Sequence, residues 1–351
     1  MGKIIHMLFE NWIAIQADGF HSSSWPRRSG PAPAFAAAIA GPLVDLLYLS
    51  TMDNQASNDE DKSLNLFLEQ PFGDYSSNVE IDANTVSSFR QIIYSFYRER
   101  GREFPWRKTE NPYEVLVSEI MLQQTQTGRV LSKYVEFIAR WPDIAALSRA
   151  SLADVYEVWK GLGYNRRAKA LIDIAGQVVE RHGGVIPAVE RELRQLPMVG
   201  QSTAAAVLAF AYEIPVVYLE TNIRRALLYF FFEGCSKVQD REVFTIARSV
   251  LDSGNPRQWN YALTDYGVFL RAILPNTNRR SAHYARQGPF ENSNRQIRGR
   301  ILRRLSEHGP GSVAEIRDAL AHRAGRIEHC LEQLKHDGML VCENGRYRIP
   351  D

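Results

Sequence analysis

Two glutamates a hundred residues apart, Glu119 and Glu220, stand where acid-base chemistry needs carboxyl groups. Glu119 falls in the helical stretch Tyr113 to Gln126, four residues after Val115 and three before Leu122, with Gln123 and Gln126 continuing its own stripe. It therefore sits on the margin of an apolar face. A carboxyl group there loses hydration, its pKa rises, and it can hold a proton near neutral pH as a general acid; turned to solvent, it would do neither. Glu220 follows the apolar run Val216-Val217-Tyr218-Leu219 and precedes Thr221-Asn222 and the pair Arg224-Arg225.

The element that must position Glu220 is a hairpin between two helices. In Leu196-Pro197-Met198-Val199-Gly200 a proline and a glycine close together interrupt the helix. Gln201 to Tyr212 then holds five alanines and neither glycine nor proline, so a helix resumes there with its free N-terminal amides beside Gly200, able to point at a phosphate. Pro215 ends that helix just before the acid. For Glu119 the positioning element reads as one helix running from Tyr113 to Trp141, ended by Pro142.

Five separate stretches carry a resemblance: Pro105-Trp106-Arg107, Val117 to Gln126, Gly161-Leu162-Gly163-Tyr164, Leu196 to Thr203, and Glu220-Thr221-Asn222. In this order they resemble the helix-hairpin-helix DNA glycosylases, with the nearest likeness to the MutY-type adenine glycosylases, over about residues 87 to 270. The resemblance implies an all-α, two-lobed helix-hairpin-helix core that removes a base from DNA. That reaction breaks the bond between the sugar and the base nitrogen through an oxocarbenium-like transition state, so it needs an acid at the leaving base and a carboxylate at the sugar. Glu119 matches the family's acid. Glu220 stands where the family has Asp, one methylene longer, and Asn222 follows as in the family and is expected to orient that carboxylate or the attacking water.

The same resemblance places Gln123, Gln124, Tyr164, Gly200, Gln201, Ser202 and Arg224 against DNA, with Gln124 and Tyr164 as wedges that fill the space left by an extruded base. Ser202 stands where glycosylases of the endonuclease III type carry a Lys that forms a Schiff base with the sugar; a serine cannot, so the chain reads as a monofunctional glycosylase without lyase activity. Met198 departs from the family's usual glycine. Many relatives bind a four-iron cluster through four cysteines, whereas this sequence has only Cys235, Cys330 and Cys342, so no metal and no cofactor is expected. The expected reaction is excision of adenine mispaired with guanine or 8-oxoguanine. The alternatives are a thymine or uracil mismatch glycosylase on the same fold and a non-catalytic DNA-binding regulator.

The whole chain, 351 residues with 45% hydrophobic and 23% charged content, fits a globular protein of two or three domains. The net charge of +2 hides an uneven distribution: Asp53 to Asp82 holds eight acids and one base, Arg271 to Arg304 nine arginines and one acid. The second run is a candidate DNA-facing surface. No run is long and apolar enough to span a membrane, and three cysteines suggest a reducing cytoplasm, with the protein at the nucleoid as a monomer on double-stranded DNA containing a mismatch or damaged base.

Three domains follow: residues 1–85, a poorly ordered or mispredicted extension; 86–290, the glycosylase core; and 294–351, where three helices and a hairpin around Asn344-Gly345 resemble a winged helix. Ser312 with Glu315 fits a capping box inside this last unit. The tail does not resemble the Nudix-like domain with which the MutY family reads 8-oxoguanine. It should therefore add backbone affinity without base identity, and its removal should weaken binding to all duplexes alike.

Overall fold

Asp82 opens the first helix, its side-chain oxygen accepting from the amides of Asn84 and Thr85 at 2.9 and 3.0 Å. In the computed structural model the described residues are 67–76, 80–282, 284, 288–320 and 324–351, and most of the expected N-terminal extension lies outside them. Residues 67–76, assigned to that extension by sequence, instead pack on the core. The Phe72 and Tyr75 amides donate to the carbonyls of Phe230 and Phe231, and the Phe72 ring lies 5.5 Å from that of Phe231.

The helices of the core are α1 Ala83–Arg100, α2 Pro112–Leu122, α3 Thr127–Arg140, α4 Ile144–Ser148, α5 Leu152–Trp159, α6 Arg166–His182, α7 Glu190–Leu193, α8 Gln201–Ala211, α9 Thr221–Phe231, α10 Asp240–Val250 and α11 Pro256–Ile273. Helices α2 to α8 form one packed group, α1 with α9 to α11 another, and the two meet where α8 crosses α11. One hydrophobic core runs through both. In the first group α8 lies against α2; Ala204, Ala205, Ala206 and Ala209 are all buried, and their small side chains let the two backbones approach closely. In the second, α9 lies against α11 at Gly267, where a methyl group would fall 2.0 Å from the Asn222 carbonyl oxygen. Only glycine permits that approach.

The single helix expected from Tyr113 to Trp141 is in fact two. The α2 helix ends at Leu122, and a turn over residues 123–126 precedes α3. Gln124 takes φ 55° there, in the left-handed region that breaks a right-handed helix. Neither glycine nor proline marks the turn. It is stabilised from a distance by Arg167 on α6, whose guanidinium donates to the carbonyls of Met121 and Leu162 and to the Thr125 hydroxyl.

The C-terminal unit comprises α12 Asn294–His308, β1 Gly311–Ser312, α13 Val313–Leu320, α14 Ala324–His336, β2 Val341–Glu343 and β3 Arg346–Arg348, the strands forming an antiparallel sheet in the order β1-β3-β2. The expected hairpin turn is present with Asn344 at φ 51° and Gly345 at φ 73°, and so is the capping box, Ser312 N–H donating to Glu315 and Glu315 N–H to Ser312. The two-residue strand β1 is an addition that no sequence pattern signalled.

This unit shares a hydrophobic cluster with the core. Leu152 and Tyr156 of α5 are buried in the same cluster as Ile297, Ile301, Leu331 and Met339, and the Ala153 amide donates to the Pro350 carbonyl at 3.1 Å.

Candidate active site

A cleft of about 670 Å³ opens between the two groups of helices, and both glutamates line it. Glu119 lies in the last turns of α2. Its neighbours Val115 to Ser118, Ile120 and Met121 are buried, whereas Glu119 itself keeps partial exposure to the cleft, as its place on the margin of the apolar face predicts. Burial pushes its carboxyl up from the ordinary 4.5 to about 8, and the neighbouring Glu220 adds to the rise. The buried Tyr218 hydroxyl, which hydrogen-bonds to Glu119, and the Arg107 cation pull the other way without cancelling it. Glu119 therefore carries a proton at neutral pH.

Glu220 is held differently. It is the N-cap of α9: one oxygen accepts from the amides of Asn222 and Ile223, both at 2.8 Å, and the other from the Asn222 side-chain amide at 3.1 Å. Burial raises its pKa, while those amides and the Arg225 and Arg102 cations favour the ionised form. Two like charges so close disfavour double ionisation. The amide donors on Glu220 favour a proton on Glu119 over one on Glu220.

Asn222 orients Glu220 and is oriented in turn. Its side-chain oxygen accepts from Arg225 at 2.6 Å, which fixes its NH₂ toward Glu220, and Arg225 also donates to the Gly267 carbonyl at 2.9 Å. Behind the cleft lining the buried Asp265 gathers Arg102 and Arg107, which line it, each through two or more contacts of 2.6–2.8 Å, and Arg107 lies 4.5 Å from the centre of the Tyr261 ring. This cluster brings together residues far apart in sequence, and no local pattern announces Asp265. Tyr218 and Arg225 were also assigned no role from sequence, although both flank Glu220 within five residues.

The residues expected at DNA divide into groups. Gln124 and Ser202 line the cleft, and Gly200 caps α8 with no side chain over its first amides, beside the exposed Gln201 and Ser202. Gln123 also lines the cleft, but its side chain joins α2 to the hairpin, donating to the Met198 carbonyl at 3.3 Å and the Thr203 hydroxyl at 3.1 Å. Met198 takes φ 57°, so it adopts the left-handed backbone that a glycine would. Arg224 turns to Asp240 of α10 in an ion pair 19% exposed on the arginine side, and so faces a neighbouring helix. Tyr164 follows the turn after Gly163 at φ 48°, with its hydroxyl bonded to Arg295 of α12. The three cysteines lie on separate elements: Cys235 follows α9, while Cys330 and Cys342 lie on α14 and β2.

Residues 117–248 match the family described as HhH-GPD superfamily base excision DNA repair protein. The chain is 30% identical over 280 residues to the adenine DNA glycosylase of Mycobacterium tuberculosis (strain ATCC 25618 / H37Rv), an alignment covering 74% of this chain and 92% of that protein. It is 34% identical over 188 residues to the adenine DNA glycosylase of Buchnera aphidicola subsp. Baizongia pistaciae and 33% identical over 199 residues to that of Rattus norvegicus, covering 53% of this chain in each case. It spans 54% of the Buchnera protein and 39% of the rat protein. Among solved structures, a thermostable thymine-DNA glycosylase is similar at 28% identity with a TM-score of 0.49, covering 53% of this chain and 88% of that one.

Proposed function

Because the chain belongs to the adenine DNA glycosylases, we propose that it removes adenine mispaired with guanine or 8-oxoguanine from double-stranded DNA, acting as a monofunctional glycosylase of base excision repair. The observation that carries this reading is the pair of unlike carboxyls on one cleft: a protonated Glu119 and an amide-capped Glu220. Glu119 gives its proton to the imidazole nitrogen of the leaving adenine, which departs neutral instead of as an anion. Glu220 faces the positive charge that grows on the sugar and aligns water against it, with Asn222 holding the carboxylate in place.

The target base leaves the stack to reach Glu119, at a cost of a few kcal/mol, and Gln124 and Tyr164 fill the gap. The uncapped N-terminus of α8 at Gly200 to Ser202 receives a backbone phosphate. Ser202 offers no amine for a Schiff base, so the product is an intact strand with an abasic site. The C-terminal unit, with its helix-strand-helix-helix-hairpin order, acts as a winged helix that adds basic contacts from the Arg300 to Arg304 stretch.

Single-turnover excision from a panel of duplexes tests the reading. Release of adenine opposite guanine or 8-oxoguanine, with strand cleavage only after alkali, is the expected result. Release of thymine or uracil opposite guanine in place of adenine would overturn it, as would binding of all duplexes with no base released.

A further inference from the structure

We infer that Arg295, from the C-terminal unit, is a positioning residue for Tyr164 and so couples that unit to base extrusion; the inference rests on the wedge role proposed for Tyr164 above. Tyr164 is a bulky residue in the left-handed region, at φ 48°, a conformation that costs on the order of 1 kcal/mol and persists only where its surroundings impose it. Part of that constraint comes from inside the core. Arg167 stands 5.4 Å from the ring centre, and its guanidinium bonds the Gly163 carbonyl at 2.9 Å, fixing the backbone just before the ring.

The remainder comes from α12. Arg295 donates to the Tyr164 hydroxyl at 2.9 Å, and its guanidinium carbon lies 5.9 Å from the ring centre, so one side chain engages both the polar tip and the ring. The other end of the fork is anchored, donating to the Gly288 carbonyl at 2.8 Å and to that of Pro289 at 3.4 Å. A lysine could not make both sets of contacts from one planar group. The base of this lever is stiff. Helix α12 is pinned to the core by the cluster containing Leu152 and Tyr156, and Asp337 of the same unit accepts from Arg298 and pairs with Arg166, two residues after Tyr164.

Arg295 lies on the C-terminal unit, outside the matched region 117–248, so that unit adds a second constraint on the loop to the one from Arg167. Loss of Arg295 should leave Tyr164 in place in sequence but loose in direction, and the penalty should fall on the extrusion step more than on duplex affinity.

The test is a double-mutant cycle in the full chain. Arg295→Met, Tyr164→Phe and the double variant are compared by single-turnover excision of adenine opposite guanine, by duplex affinity, and by the fluorescence of 2-aminopurine at the target position. Each single variant should slow excision and base extrusion by about fivefold with affinity kept, and the double should be no slower than Tyr164→Phe alone. Arg295→Lys should resemble Arg295→Met, and it replaces that variant in the cycle if Arg295→Met fails to fold. Losses that multiply to about twenty-five-fold, or an Arg295 variant extruding and excising like wild type, would overturn the coupling. Extrusion by a wild type that excises no adenine would instead overturn the proposed function, with the 2-aminopurine cycle still deciding the role of Arg295.

Discussion

The Glu119 carboxyl should cost the protein stability in proportion to how far its acidity is shifted, and Glu119→Gln should recover that cost while abolishing excision. Folded Glu119 titrates at about 8, against 4.5 for an ordinary glutamate. Between those values the native state holds a proton that the unfolded chain has lost. Native protein then binds more protons than unfolded protein, so this group's contribution makes stability fall as pH rises through the window.

At about 1.4 kcal/mol for each pH unit, the full span is worth on the order of 5 kcal/mol. Cleft water reaches part of the side chain and screens the charge, so about 2–3 kcal/mol is the expected gain of Glu119→Gln over wild type at pH 9. Near pH 4.5 the gain should vanish, because protonated Glu and Gln are both neutral and nearly isosteric. Urea denaturation of both proteins at half-unit steps of pH measures this difference, in which the titration of distant groups cancels. A stability difference that stays flat from pH 5 to 9 would refute the burial argument, and near-wild-type excision by the variant would remove Glu119 from the acid's role.

Excision by the wild type should show an alkaline limb, its single-turnover rate falling tenfold per pH unit above about 8 as Glu119 loses its proton; a rate flat to pH 9.5 would contradict this. Arg167→Lys should destabilise the chain by about 2–4 kcal/mol, because the smaller head leaves some of the buried carbonyls of Ile120, Met121 and Leu162 without this donor, and denaturant melts would register it. Removal of residues 294–351 should lower the melting temperature of the remaining core by several degrees, since it uncovers Leu152 and Tyr156, in addition to weakening the binding of every duplex; an unchanged melting temperature would mean that the shared cluster contributes nothing.

Much of the site was legible because its signals are local. An acid on the margin of an apolar helical face, and another after a proline and an apolar run, each announce themselves within ten residues, and the structure places Glu119 and Glu220 on one cleft. The glycine-proline hairpin was equally local, and Met198 shows that a side chain can occupy a left-handed position when the flanking backbone is tied down, here by Gln123. What the sequence hid is set by partners far along the chain. The helix break at residues 123–126 has no residue of its own that demands it; it depends on a buried guanidinium more than forty residues away. Asp265 reads as one more polar residue on an amphipathic helix until Arg102 and Arg107 close on it.

The exchange of the family's Asp for Glu220 has a physical reading of the same non-local kind. A side chain one methylene longer would reach further if it projected straight into the cleft. As the N-cap of α9 it folds back, placing one oxygen on two amides of its own helix and the other on Asn222. The bend takes up the extra length, and the depth of α9 in the cleft sets where the carboxylate ends. That depth is governed by the contact of Asn222 with Gly267 on α11, where a methyl group would meet the carbonyl oxygen at 2.0 Å. The longer acid and the bare glycine forty-seven residues later therefore act together. Residue type at position 220 alone cannot define the reach of this carboxylate; the helix that carries it does.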